Sequence, residues 1–308
     1  MNKNKQVLVT GSSGFLGSHI VDCLLASGYD VSGFDLEESN YQQGLTQFYC
    51  GDVLDYEAVH TAVNGCNYVY HLAGVADISK SMESPDKTVK VNILGTQNIL
   101  KASAEHRIER FIFASTIYVY SDLGGFYRVT KQACEKIIEE YRKVYDLNYT
   151  ILRYGSLYGT RSNSFNSIRN MLKEALDNSE IIRRGDGEEI REYINIIDAA
   201  KLSVRVIDKE FANKHIIVTG NQSMKIRELL SMIKEIFEDN IKIIYKPSDE
   251  QHHYQITPFS FRSQVAERLT PNTFIDIGQG ILEVLNELHH EKYESNDDPK
   301  ISLREKDK

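Results

Sequence analysis

Cysteine is scarce. Only Cys23, Cys50, Cys66 and Cys134 occur in 308 residues, far apart and with no Cys-x-x-Cys pair. That spacing offers neither a zinc site nor a disulfide framework, and it fits reduced, buried thiols in a cytoplasmic protein. The nine histidines are scattered, so no metal is expected. A surplus of positive charge is also missing: with a formal net charge of -8 there is no electrostatic ground for a nucleic-acid partner. No apolar run is long enough to span a bilayer, and MNKNKQVLVT passes straight into a strand-like run without the apolar core of a signal peptide. Neither a membrane nor export is expected, and no internal repeat is visible.

What is present is a rhythm. The length permits a full core, and short β-branched runs alternate with amphipathic stretches through the first half. Gln6–Thr10, Tyr29–Phe34, Tyr68–Leu72, Phe111–Ala114 and Tyr149–Arg153 read as strands; Phe15–Leu25, Val91–Ala104 and Tyr127–Tyr145 read as helices. This is the pattern of an α/β fold with a doubly wound parallel sheet, assigned to residues 1–160 with parts of the second half returning to it. Beyond Tyr154 helices at Ile168–Leu176 and Ile226–Phe237 mix with short strands at Ile216–Val218 and Ile241–Tyr245, which predicts a smaller mixed α/β substrate lobe over residues 161–290. The charged stretch 291–308, nearly devoid of apolar residues, reads as a disordered tail.

The stretch VTGSSGFLGSH sets Gly11, Gly14 and Gly17, with Ser13 among them, between the first strand and the first helix. Bare backbone there lets a pyrophosphate approach unpaired N–H groups at the positive end of a helix; the alternative is glycines serving only a tight turn. Asp35 ends the second strand about 20 residues further on, where an acid can accept hydrogen bonds from ribose hydroxyls. A 2′-phosphate would meet Asp35 with Glu37 and Glu38 beside it and no arginine in the glycine loop, so NAD is favoured over NADP.

Further along, ASTIYVYSDLGGFYRVTK holds Thr116, Tyr127 and Lys131. A Tyr-x-x-x-Lys pattern arises about once by chance in such a chain, so its meaning depends on its place. Here it follows a strand at the carboxyl edge of the sheet, where ligands of doubly wound folds bind, and opens the next helix with both side chains on one face.

With the glycine loop, Asp35 and YRVTK in this order, the chain resembles the extended short-chain dehydrogenase/reductases, Rossmann-type enzymes, and among them the NAD-dependent nucleotide-sugar epimerase/dehydratase family. GDVLD (Gly51–Asp55), HLAG (His71–Gly74), VNILGTQN (Val91–Asn98), LRYGSLYG (Leu152–Gly159) and GDGEEIREYINIIDAA (Gly185–Ala200) fit in sequence. The resemblance implies that Phe15 and Leu16 cover the pyrophosphate and that Asp52 and Val53 border the adenine. It also implies that Leu72, Ala73 and Gly74 line the cofactor, that Asn92 has a supporting polar role, and that Tyr154 lies near the nicotinamide. Asp52 could instead cap a turn, and Leu72 could be plain core. Thr116 would hydrogen-bond the reacting oxygen, Tyr127 would exchange its proton, and the Lys131 ammonium would lower the phenol's pKa and hold the nicotinamide ribose. Arg191 would reach the substrate diphosphate, and Ser156 would face the sugar. Asp198 reads as a helix N-cap. Family members pair through the two helices that here are Val91–Ala104 and Tyr127–Tyr145, which implies a homodimer.

Departures narrow the chemistry. The 4,6-dehydratases of the family follow the threonine with an Asp-Glu pair that eliminates water, whereas Ile117 and Tyr118 stand here. The glutamate of the sugar-acid decarboxylases is absent too. Ser156 replaces a common asparagine, Thr160 a common proline, and the loop from Thr116 to Tyr127 is short. The expected activity is a nucleotide-sugar 4-epimerase using NAD on a UDP-sugar. A 4-ketosugar reductase with the same residues is the alternative, and a non-catalytic dinucleotide sensor stands behind it because tyrosine and lysine are both kept.

Overall fold

The structure is a computed structural model and describes residues 5–41, 43–221, 223–247 and 266–293. Along its first strand Val7 and Val9 enter one apolar cluster and Leu8 another, all fully buried. A strand covered on both faces needs this all-apolar alternation. In the first half β1 (Gln6–Thr10) is followed by α1 (Phe15–Ala26), β2 (Asp30–Asp35), β3 (Gln47–Cys50), α2 (Tyr56–Val63), β4 (Tyr68–His71), α3 (Ile78–Glu83) and α4 (Pro85–Val89). Next come α5 (Gly95–Glu105), β5 (Arg110–Thr116), α6 (Gly125–Tyr145) and β6 (Tyr149–Tyr154). The second half adds β7 (Ser156–Tyr158), α7 (Ser167–Asn178), β8 (Glu180–Arg184), β9 (Ile190–Asn195), α8 (Ile196–Arg205) and β10 (Lys214–Val218). It closes with β11 (Ser223–Lys225), α9 (Ile226–Ile236), β12 (Lys242–Lys246), β13 (Glu267–Leu269) and α10 (Ile277–Tyr293).

Eight parallel strands form one sheet in the order β13-β10-β6-β5-β4-β1-β2-β3. The order reverses between β1 and β4, which opens the crevice where doubly wound folds bind ligands. On one face Ile20, Val21 and Leu24 of α1 and Ala199 and Leu202 of α8 cover the strands; on the other Val59, Ile99 and Ile138 from α2, α5 and α6 do so. Each buried valine, leucine or isoleucine among them contributes about 1.5–3 kcal/mol. A third cluster gathers Leu172, Leu229, Leu230 and Val284 from α7, α9 and α10. It supports a three-stranded sheet, β11-β9-β7, and the parallel pair β12–β8.

Several boundaries move for identifiable reasons. β5 runs two residues past Ala114 and so carries Ser115 and Thr116 to the sheet edge. The helix expected over Val91–Ala104 is broken by a π-helical turn at Lys90–Leu94. There the Asn92 side chain leaves the helix to bond the Val75 backbone at both ends, accepting from its N–H at 2.7 Å and donating to its C=O at 3.1 Å. Asp198 is not an N-cap: α8 starts earlier, capped by Asn195, which accepts from the Ile197 N–H. Asp198 instead accepts from the Ile275 N–H at 2.8 Å, fixing the approach to α10. α10 itself continues to Tyr293, three residues into the stretch read as a tail, because Glu291 pairs with Arg169 and Lys292 with Asp177. Residues 294–308 lie outside the described residues. All four cysteines are free, but only Cys134 is buried; Cys23 and Cys66 are half-buried, and Cys50 is exposed at the end of edge strand β3. Among the described residues no helix is long and apolar enough to cross a membrane.

Candidate active site

The glycine loop is shaped by contacts that a side chain would destroy. Gly11 has φ +72°, and a Cβ on it would stand 2.7 Å from the Ala73 nitrogen; a Cβ on Gly17 would meet the Gly11 carbonyl at 1.9 Å. Gly14 is the N-cap of α1 and offers no side chain to its free N–H groups. Together they leave a bare cradle at the positive end of a 12-residue helix, which fits a dinucleotide pyrophosphate. Beside it Asp35 accepts from the Ser13 N–H at 2.9 Å and from the Leu36 N–H at 2.7 Å. Burial raises the Asp35 carboxyl pKa, and those two backbone donors oppose the rise. Ser13 donates its hydroxyl to the Glu37 carbonyl and ties the loop to the segment after β2.

β4 supplies the floor. Thr10 Oγ1 accepts from the Ala73 N–H at 3.3 Å and lies 2.7 Å from His71 Nδ1; His71 Nε2 lies 3.0 Å from Thr96 Oγ1, which donates to the Asn92 carbonyl. One direction satisfies every atom: Thr10 donates to Nδ1, and Nε2–H donates to Thr96. Burial lowers the His71 pKa to about 3, so the ring is neutral and this tautomer is fixed. The chain of bonds joins the cofactor floor to the π-helical turn, and Asn92 carries it on by donating to Thr130 at 3.0 Å, next to Lys131.

At the carboxyl edge of the sheet Tyr127, in the first turn of α6, and Thr116, at the end of β5, line the same cleft. Burial pushes the Tyr127 phenol up to about 12, and the Thr116 side chain opposes the rise. Lys131 donates to the Ala114 carbonyl at 2.7 Å and stands 4.6 Å from the Phe113 ring centre; burial lowers its pKa to about 8. The Lys131 ammonium is turned to the strand, and desolvation dominates both groups. Behind them Ser115 donates to Glu135 at 2.6 Å. Arg153 grips the same carboxylate at 3.0 and 2.7 Å and also donates to the Tyr120 hydroxyl at 2.6 Å.

The glycine loop, Asp35, Ala73, Thr116, Tyr127 and Lys131 face one cleft of about 2280 Å³, well beyond the roughly 300–1,000 Å³ of an ordinary ligand pocket. Every residue expected at the site lines it except Ser13 and Asn92, whose bonds position the loop and the β4 segment from behind. Tyr154 lines the cleft, but its hydroxyl is committed on the α8 side of the sheet, 2.6 Å from Ser203 Oγ. Asp52 gives one oxygen to the Leu54 N–H, the turn-capping alternative, while still bordering the cleft. Arg191, Ser156 and Thr116 reach the cleft from β9, β7 and β5. Lys80, Lys87, Arg183, Arg184, Lys225 and Lys246 line it as well. They are invisible in the sequence because charged side chains on helix and strand ends read as solvated surface. Among the described residues no group of three His, Cys, Asp or Glu side chains is placed to hold a metal ion.

A glycine cradle at the β1–α1 junction, an acid at the end of β2 and a Thr–Tyr–Lys set on β5 and α6 define a dinucleotide-dependent enzyme of the extended short-chain dehydrogenase/reductase class. The chain belongs to the NAD dependent epimerase/dehydratase family, whose model matches residues 7–220. Its cofactor is NAD. A Methanocaldococcus jannaschii protein provisionally named UDP-glucose 4-epimerase is 28% identical over 91% of this chain and 97% of its own. A UDP-N-acetyl-alpha-D-glucosaminuronate decarboxylase of Bacillus cytotoxicus is also 28% identical, over 80% and 84%. The crystal structure of Thermotoga maritima UDP-glucose 4-epimerase with UDP-glucose superposes with a TM-score of 0.82 at 24% identity, covering 93% of this chain and 99% of that one.

Proposed function

We propose that this enzyme is a UDP-sugar 4-epimerase in which Thr116 and Tyr127 hold the hydroxyl of sugar carbon 4 and Tyr127 exchanges its proton. When bound, the nicotinamide of NAD supplies a reversible acceptor for the hydrogen on that carbon. Lys131, four residues along α6, holds the ribose and supplies positive charge to the phenol once it turns from the Ala114 carbonyl. Gly11, Gly14 and Gly17 admit the pyrophosphate, Asp35 takes the adenosine ribose, and Arg191 with the lobe over residues 161–290 takes the nucleotide diphosphate.

One observation carries the choice of reaction: the turn after Thr116 presents no carboxylate to the cleft. Ile117 is buried against Val119, Tyr120 and Ile217, Tyr118 is a phenol, and Asp122 is 76% exposed beside Arg128. Elimination and decarboxylation want an acid or base at that turn, while simple carbinol oxidation and reduction do not. The test is to give the purified protein UDP-glucose or UDP-galactose in heavy water without added cofactor. Interconversion with carbon 4 unlabelled is expected, since the hydrogen never meets solvent. Deuterium at carbon 4, release of CO₂ from a UDP-sugar acid, or a stoichiometric demand for reduced dinucleotide would each replace this reading.

Asp35 gives a second expectation. Hydrogen bonds to a charged group are worth about 1.5–3 kcal/mol, so Asp35→Ser should weaken NAD binding roughly 10- to 100-fold and narrow the gap to NADP. Calorimetric titration checks it, and tighter NADP than NAD binding by the unaltered protein would refute the ribose argument. The free thiols suit a reducing cytoplasm. Exposed Phe126, Val129, Val144 and Tyr145 on α6, with Leu94 on the π-helical turn, give a homodimer its apolar face.

A further inference from the structure

We infer that His71, which does not itself line the cleft, is a positioning residue that holds the floor under the nicotinamide ribose of NAD. The role concerns the cofactor alone and stands whichever sugar reaction the site performs. Ala73 and Gly74 bridge the two halves of the site. At one end the backbone of the pyrophosphate cradle is so close that a Cβ on Gly11 would stand 2.7 Å from the Ala73 nitrogen. At the other end a Cβ on Gly74 would stand 3.8 Å from Lys131 Nζ. A group that joins a pyrophosphate in the cradle to a nicotinamide beside Tyr127 and Lys131 passes along this pair of residues, and in NAD that group is the nicotinamide ribose.

Two pins fix the floor, and both lead to the π-helical turn. The first runs through the imidazole, from the Ala73 N–H to Thr10 Oγ1, from Thr10 to His71 Nδ1, from His71 Nε2 to Thr96 and from Thr96 to the Asn92 carbonyl. The second is the Asn92 carboxamide, bonded to both backbone groups of Val75. Without His71 the first pin is cut in its middle and the Ala73 end of the floor is released. Packing alone does not call for a histidine here. The ring is 1% exposed and lies against Phe111 and Phe113, with centroids 6.0 and 5.9 Å away. A phenylalanine or leucine would fill that space with no polar group to desolvate. What an imidazole adds is an acceptor on one side and a donor on the other. Burial keeps the ring neutral, so this polarity holds at neutral pH.

The test separates the two halves of the cofactor. Wild type, His71→Phe, His71→Asn and His71→Gln are titrated calorimetrically with NAD and with ADP, which carries the adenosine and the pyrophosphate but no nicotinamide ribose. His71→Phe keeps a ring and cuts both arms of the first pin; it is expected to weaken NAD binding roughly 10-fold and to leave ADP within about twofold. An asparagine amide reaches the Nδ1 position and bonds Thr10, while a glutamine amide reaches the Nε2 position and bonds Thr96. Each is expected to recover part of the loss. Thr10→Val and Thr96→Val cut the same path from its two sides without a change of side-chain shape, and they should reproduce the split between NAD and ADP even if His71→Phe does not fold. Thr10→Val added to His71→Phe should cost little more than His71→Phe alone, because the path is already broken. Equal losses for NAD and ADP would make His71 an ordinary core residue, and an unchanged NAD affinity would mean that the Val75 pin suffices; either result overturns the inference.

Discussion

Tyr127→Phe is expected to lower kcat by roughly 10²–10⁴-fold while NAD affinity stays within about threefold, because the ring remains and only the proton-transferring atom goes. Steady-state kinetics and a fluorescence titration of NAD would measure the two quantities. Residual activity within tenfold of wild type would assign proton transfer to another group. The ionisation of the pair sharpens the expectation. At neutral pH a phenol pushed up to about 12 is protonated and an amine lowered to about 8 is still charged. Catalysis near neutrality then needs the ammonium to leave the Ala114 carbonyl for the phenol, and Lys131→Met should be as damaging as loss of the phenol. Lys131 also has a stability signature. Between about 8 and its ordinary 10.5 the native state holds fewer protons than the unfolded chain, so this group's contribution to stability rises with pH across that window. Lys131→Met should flatten that rise in a pH series of denaturant unfolding.

Glu135→Leu is expected to be the most destabilising single change near the site, costing about 3–5 kcal/mol by leaving the Arg153 charge buried without its partner. Glu135 and Arg153 side chains are 5% and 4% exposed, so water cannot replace the lost contact. At about 1.5 °C per kcal/mol for a chain of 308 residues, Tm should fall by roughly 5–8 °C. Ser115 would lose its acceptor at the same stroke, and because it precedes Thr116 on β5, kcat should drop as well. The double change Glu135→Leu with Arg153→Met should recover most of the stability, as replacing a whole buried pair by apolar groups does. A Tm within 2 °C of wild type for Glu135→Leu alone would mean that Arg153 is satisfied by Tyr120 and His215, which lie 2.6 and 2.7 Å from it.

Much of this site could be read from the sequence because its parts are local. The glycine loop, Asp35 and the Tyr127–Lys131 pair each depend on spacing within one turn or one strand–helix junction, where the covalent chain fixes the geometry. The strands with all-apolar alternation were equally legible, whereas β3 at the sheet edge, with exposed Gln47 and Cys50, gave no signal. Neither did α3 and α4, whose exposed lysines face the cleft. Long-range partnerships were out of reach. Glu135 reads as one more polar residue on an amphipathic helix until Arg153, 18 positions on, is seen against it. The π-helical turn is likewise set by the bond from Asn92 to Val75, and the direction of Lys131 by a carbonyl 17 residues earlier.

The central sheet takes β10 and β13 from beyond the lobe that interrupts it, and α8 lies over α1. Its last strand to arrive comes some 115 residues after β6, at Glu267–Leu269. During synthesis, a ribosome that has released only the first half leaves β6 as an open edge of six residues, all of them buried in the finished protein. Such an edge is a template for pairing with a second nascent chain. Early truncation therefore yields a sticky intermediate rather than a small stand-alone NAD binder, and expression trials of residues 1–160 should collect in the insoluble fraction.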